Sequence, residues 1–372
     1  MNRKNIRLKE LEIRGYKSIP FQYPIKLEFG DVNILLGANG AGKSNVISFF
    51  KMLGYMMSGA LQKHIAEEGT NQQFLYYGSK KTPTMCASLS FEDDRARDTY
   101  SFSLTSAVPN RLIISAEEIE WERKSGQQPL KLQLKSDFNE SALIDSAQKT
   151  EQFIKNLLGG CKVYQFSDSS KESALRQAST VESAHYLQSG GNNLASFLLF
   201  LKNNYPESFR RITRYVRMVV PQFSEFYLEP ERGYVSLRWT DTSANDYVFT
   251  ANQFSDGSIR FIALATLLLQ PPKTMPFVII IDEPELGLHP FAISQLNEMI
   301  RDASIHAQII MATQSPEILD GFPADDVTII ERDPEIGGTI VRKLAEADYK
   351  HWLEEYTLSE LWNKNVLGGR PL

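Results

Sequence analysis

The stretch that most narrows the choice of fold is short: "LLGANGAGKSN", residues 35–45, a glycine-punctuated turn that follows an apolar run and ends in lysine and serine. Gly37, Gly42, Lys43 and Ser44 meet the G-x-x-x-x-G-K-[S/T] spacing of a phosphate-cradling loop. Glycines let successive backbone N–H groups turn inward as an anion nest, and the following helix aims its positive N-terminus at the phosphates. Lys43 would reach the β/γ-phosphates and Ser44 would ligate Mg²⁺. A glycine-rich surface turn is the alternative, and the flanks argue against it. "VNILL" (Val32–Leu36) reads as a buried strand, and "SNVISFFKMLGYMM" as a helix with apolar residues at helical spacing. Strand, phosphate loop and helix in that order predict an α/β fold.

At 372 residues the chain exceeds the roughly 250–300 that one core carries, so two lobes or a domain with a large insertion are expected. The opening "MNRKNIRLKE" lacks an apolar core, and the longest apolar run, Phe261 to Leu269, is far short of the roughly 20 residues of a membrane span. A cytoplasmic protein with no membrane partner is the expectation. Cys86 and Cys161 are too few for a metal cage, and the five histidines show no ligand spacing. The net charge of −5 confines any DNA contact to a local patch. The candidate is "FRRITRYVR", where Arg210, Arg214 and Arg217 share one helix face, although a solvated face paired with acids such as Glu207 is the favoured reading.

The second half indicates what a bound nucleotide is for. In "FVIIIDEPELGLHP" a buried strand ends in Asp282 and Glu283. Asp282 would hold Mg²⁺, and Glu283 would polarise the attacking water as general base. In "NQFSDGSIRFIALATLLL", Ser255 is placed to N-cap an apolar helix from about Asp256 to Leu269. A Ser-x-Gly turn at a helix start is a second anion site, most economically serving the nucleotide of a second molecule. "AQIIMATQSPEIL" reads as a strand from Gln308 to Thr313, then Gln314, Ser315 and a helix opened by Pro316, which sets Thr313 and Gln314 at a further strand end.

Together "GANGAGKS", "FSDGS", "IIIDEPELGLHP" and "ATQSP" resemble the ATP-binding-cassette ATPases of RecF and SMC type, and more narrowly the short ATPases related to the OLD (overcoming lysogenization defect) nucleases. The opening "LEIRGYKSI" and the ending "YTLSELWNKNVLGGRP" share the likeness. The resemblance implies a two-lobed head with an antiparallel β lobe and a helical insertion, ATP-driven dimerisation, and two composite sites per homodimer, with a higher oligomer left open. It implies that Gly37, Asn39, Gly40, Gly42, Lys43, Ser44 and Asn45 bind ATP. Ser255, Asp256 and Gly257 would meet the partner's γ-phosphate, and Glu285 to Leu288 would form the loop that crosses the dimer interface. Gln165 in "VYQFSD" stands where a catalytic, metal-contacting glutamine loop is usual, or is simply a strand-end residue. Asp256 occupies a glycine position of the general pattern, which would weaken the γ-phosphate contact. Gln314 replaces the switch histidine of transporters and cannot carry a proton near pH 7, so slow turnover is expected.

Between Ser44 and Ser255 there is too little chain for coiled-coil arms and no sustained heptad. "TYSFSLT", "IEWE" and "LKLQL" alternate with period two, as an antiparallel meander would. Residues 139–158 and 191–219 read as helices, the second capped by Asn192 or Asn193. A second β stretch runs from "EFYLEP" through "YVFTANQ", and "DVTIIERD" and "GGTIVRKL" read as closing strands. The segments expected are 1–135 with the phosphate loop and meander, 136–250 as insertion, and 251–372 with the signature, Asp282–Glu283 and switch motifs. Asp325, Asp326, Glu331 and Asp333 read as solvated loop charges rather than a Toprim nuclease cluster. The expected function is an Mg²⁺-dependent ATPase switch, the sensor or motor of a bacterial anti-phage or DNA-maintenance system with a separately encoded effector nuclease. The alternative is a stand-alone RecF-like DNA-binding repair ATPase. A transporter subunit is disfavoured by the Gln314 switch and the lack of an apolar coupling helix.

Overall fold

A computed structural model describes residues 6–126, 128–135 and 139–369. The first residues of the charged opening, the boundary at 136, and Arg370 and Pro371 of the closing motif lie outside them. The chain forms two compact units, Met1–Lys162 with Pro323–Leu372, and Val163–Phe322.

In the first unit six strands form an antiparallel sheet in the order Ile25–Glu28, Arg7–Arg14, Thr84–Glu92, Ala96–Ala107, Arg111–Arg123 and Leu130–Gln133. The period-two spacing has its expected result: Tyr100, Phe102 and Leu104 turn inward and are buried. On the opposite face hydroxyls pair across strands, Ser88 with Ser101 at 3.1 Å and Ser90 with Thr99 at 2.9 Å. Helix Lys43–Met57 packs its apolar stripe into this core, with Phe49 stacked on Phe102 and edge-on to Tyr16. Strand Val32–Leu36 is buried at every position, as an apolar run in a covered parallel sheet must be. It pairs in parallel with Val327–Asp333, which pairs antiparallel with Gly338–Lys343.

The helix expected over 139–158 is confined to Lys149–Gly159. The preceding residues are serine- and acid-rich and bond to backbone instead, which competes with helix. Glu140 accepts the N–H groups of Leu61 and Gln62 at the start of helix Leu61–Glu67. Buried Glu117 accepts the Tyr100 hydroxyl at 2.6 Å and the Ala142 N–H at 3.0 Å, which fastens the segment to the sheet.

In the second unit Val278–Asp282 pairs in parallel with Gln308–Thr313. Helices Asp256–Leu269 and Pro290–Ser304 add buried apolar faces to its core. A three-stranded sheet of Phe223–Tyr227, Arg238–Asp241 and Ala244–Thr250 centres on Trp239, whose ring stacks on Phe249 and on Phe254, each at 4.7 Å. The helix expected over 191–219 is two, Leu194–Asn204 and Pro206–Val219. Proline cannot donate the next helical hydrogen bond and pushes the residue before it out of the α region, so the break falls at Tyr205. Asn193 stands at the N-cap, but its amide bonds the carbonyls of Ser183 and Tyr186 rather than the helix. On the second helix Arg210 pairs with Glu207, and Arg217 with the Ser224 carbonyl and Glu225. Among the described residues no helix is long and apolar enough to cross a membrane.

Candidate active site

The first unit carries the phosphate loop, and two of its glycines are sterically obligatory. A Cβ on Gly37 would sit 2.2 Å from the Ile330 carbonyl oxygen, and one on Gly42, at φ 117°, would sit 2.2 Å from Thr339 Oγ1. Gly40, at φ 78°, has nothing within 4 Å of the corresponding point, so its side of the loop is open. The helix that begins at Lys43 has Gly42 as N-cap, no side-chain cap and no acid in its first turn. An anion at this helix start would therefore meet no competing side-chain cap or first-turn acid. Lys43 is buried and donates from Nζ to the carbonyls of Gly37 at 2.7 Å and Ala38 at 3.0 Å, which draws its ammonium into the loop. Ser44 is exposed in the first turn and Asn39 is exposed at the tip. Asn45 turns its amide to Ser18 Oγ at 2.6 Å, and Ser18 bonds Thr339, whose hydroxyl reaches the Ala41 carbonyl. A cavity of about 540 Å³ is walled by Ala38 to Ala41 on one side and by Glu331, Arg332 and Asp333 on another. Those two acids thus stand beside the phosphate loop. Asp326 is half-buried and pushed up to about 6 by that burial, so it departs from the solvated charge expected of it.

The remaining candidates belong to the second unit, and there Gln165, Asp282, Glu283 and Gln314 converge. Strand Val278–Asp282 ends where Glu283 turns left-handed at φ 46°, a conformation that is costly for a residue with a Cβ. Its N–H donates to the Ala312 carbonyl at 2.8 Å, and its Oε1 accepts from Gln314 Nε2 at 3.0 Å. Gln165 directly follows strand Cys161–Tyr164 and reaches Asp282 Oδ2 with its Nε2 at 3.5 Å. Thr313 donates its hydroxyl to Glu285, a buried acid that burial pushes up to about 7.

Ser255 is the N-cap of helix Asp256–Leu269, its hydroxyl accepting the Ser258 N–H at 3.2 Å. Asp256 has a dedicated counter-ion. Arg176, its side chain almost wholly buried, donates to Asp256 Oδ1 at 2.9 Å, to Phe254 O at 3.2 Å, to Ser169 O at 3.0 Å and to Ala251 O. A Cβ on Gly257 would meet the Gly287 carbonyl oxygen at 2.5 Å, so glycine is what admits the "ELGL" loop to the signature turn. Arg260 ties three segments together, donating to Leu286 O at 2.9 Å, to Phe166 O at 3.1 Å and to Ser167 O. Arg176 and Arg260 carried no local motif, and Glu285 was placed only within a loop, so sequence reasoning assigned none of them these contacts.

These features fit a nucleotide and its metal. The helix start is uncapped, the loop is open at Gly40, and one strand-end carboxylate carries a glutamine neighbour. Among the described residues no group of three or more His, Cys, Asp or Glu converges on a metal position.

A family model described as "AAA domain, putative AbiEii toxin, Type IV TA system" matches residues 32–320. Among solved structures, the SmcHead bound to the C-winged helix domain of ScpA is 15% identical, with 92% of this chain and 99% of that chain covered at a TM-score of 0.61. The Smc head domain with an extended coiled coil, bound to the C-terminal domain of ScpA and derived from Pyrococcus furiosus, is 15% identical, with 94% and 99% covered and a TM-score of 0.58. At this identity the likeness is one of fold, and no curated protein matches the chain. The family match runs from the strand before the phosphate loop to the helix after Gln314, so the chain belongs to this AAA-domain family and has an SMC-head-like α/β P-loop ATPase fold.

Proposed function

We propose that the chain is a slow, Mg²⁺-dependent ATPase that dimerises on ATP and relaxes on hydrolysis. The observation that carries this reading is Glu283, set at a strand end with its carboxylate oriented by Gln314. A carboxylate so held is the group that would take a proton from attacking water. Glutamine orients it without shuttling a proton, which supports slow turnover. The uncapped loop of Gly37, Asn39, Gly40, Gly42, Lys43 and Ser44 would take the phosphates, with Asn45 bracing it through Ser18. Ser44, Asp282 and Gln165 would hold Mg²⁺, which when bound neutralises the β- and γ-phosphate oxygens. Ser255 and Gly257 would cap the nucleotide of a second copy, with Asp256 neutralised by Arg176.

The biological role we propose is the sensor or motor of an anti-phage defence system, related to the short OLD-like ATPases, with its effector nuclease on a separate polypeptide. The family description names a toxin of a type IV TA system, and the similar SMC heads are solved with a separate protein bound, both in keeping with such a division of labour. Mixing two inactive variants tests the composite site. Ser255→Arg keeps its own loop and Lys43→Ala keeps its own signature, so a heterodimer contains one intact site and one doubly defective site. Hydrolysis in the mixture should exceed that of either variant alone. A mixture no more active than its components, or full activity of Ser255→Arg as a monomer, contradicts the proposal.

A further inference from the structure

We infer that Glu285 is a positioning residue of the hydrolytic site: tied to the hydroxyl of Thr313, it sets the turn from which Gln314 holds Glu283. The inference rests on the reading of Glu283 as general base. Thr313 Oγ1 is the hub. It accepts the Ser315 N–H at 2.9 Å, which fixes the Thr313–Ser315 turn, and with that lone pair used it donates its own proton to Glu285 Oε1. Gln314 lies between those two residues, and its Nε2 reaches Glu283 Oε1 at 3.0 Å. The loop that carries both acids is itself bonded into turns, Leu286 N–H to the Glu283 carbonyl at 3.2 Å and Leu288 N–H to the Glu285 carbonyl at 3.0 Å. Glu285 thus grips the switch turn from one side while Gln314 grips the base from the other.

The chemistry of Glu285 suits this task. It is 6% exposed, and its Oε2 has no hydrogen-bond partner among the described residues. A buried carboxylate with one oxygen unpaired is costly, so the group holds its proton, pushed up to about 7 by desolvation with the nearby Glu283 carboxylate adding to the rise. Substitution by an apolar residue leaves the Thr313 hydroxyl only the longer contact to the Ser315 carbonyl, at 3.3 Å, and loosens the turn, whereas glutamine keeps a neutral acceptor at Oε1.

Three full-chain variants, Glu285→Gln, Glu285→Ala and Thr313→Val, test this beside Glu283→Gln. Steady-state hydrolysis with Mg²⁺-ATP and, without nucleotide, amide hydrogen exchange over residues 312–317 are the measurements. Glu285→Gln should keep kcat within about twofold. Glu285→Ala and Thr313→Val should each lower kcat about 10- to 100-fold with KM within about twofold, and the double variant that combines Glu285→Ala with Thr313→Val should lose no more than either single one. Exchange at Gln314 and Ser315 should quicken in those two variants and not in Glu285→Gln. Retained kcat in Glu285→Ala, multiplying losses in the double variant, or unchanged exchange overturns the inference. If Glu283→Gln hydrolyses at the wild-type rate, the assignment of the base fails and this inference with it. If Glu283→Gln is inactive while Glu285→Ala is not, this inference alone fails.

Discussion

Arg176 closes on Asp256, Nη2 to Oδ1 at 2.9 Å, across 80 positions of sequence. The pair is lopsided: the Arg176 side chain is 3% exposed and that of Asp256 68%. Asp256 sits in water and contributes little to stability, while Arg176 satisfies the Ser169 carbonyl and those of Ala251 and Phe254 in the loop that leads into the signature helix. An acid where the general pattern has glycine is therefore already neutralised within its own unit.

Removing the two partners should accordingly have unequal effects. Asp256→Gly is expected to change stability by less than about 1 kcal/mol, as exposed ion pairs do, and to leave nucleotide affinity nearly unchanged. Arg176→Ala strands several carbonyls and is expected to cost about 3 kcal/mol. Urea denaturation of both variants measures the difference, and equal losses would contradict the account.

Lys43→Ala should abolish ATP binding. Wild type at a hundredfold excess over Kd gains about 2.7 kcal/mol, read as a rise in melting temperature with Mg²⁺-ATP. The variant should show no rise, and an undiminished one would mean that the loop is not the site.

Glu283→Gln should slow hydrolysis by about 10²- to 10⁴-fold while retaining binding, so ATP should trap a dimer visible by light scattering. Glu283→Gly should be equally inactive yet more stable by about 1 kcal/mol, because glycine relieves the left-handed backbone at φ 46°. A Glu283→Gly protein that melts below wild type would argue against strain at that residue.

Glu285 makes stability depend on pH in a defined direction. Its folded value of about 7 lies above its ordinary 4.5, so between those limits the folded state keeps a proton that the unfolded state has lost. Stability therefore falls as pH rises from about 4.5 to 7 and levels off beyond, a loss of roughly 3 kcal/mol from this group. Glu285→Gln, which does not titrate, should melt above wild type at pH 8 and lose that advantage at pH 4.5. Parallel melting curves for the two proteins across that range would refute the burial effect.

Local chemistry made much of the molecule legible in its sequence. The strand Val32–Leu36, the phosphate loop, the helix behind it and the Ser255 cap each depend on residues a few positions apart, where backbone preference and apolar period act directly. The break at Pro206 is equally local, yet the reading over 191–219 followed the apolar pattern and expected one continuous helix. Tertiary structure decided what depends on distant partners. Residues 323–372 join the first unit because Val327–Asp333 pairs with Val32–Leu36, whereas the boundaries expected at 135 and 250 followed motif order. The counter-ion of Asp256, the three carbonyls gathered by Arg260 and the burial of Glu285 beneath Thr313 all join chain segments far apart in sequence. A charge's partner and an acid's depth are set by which surfaces pack together, and no local periodicity encodes that.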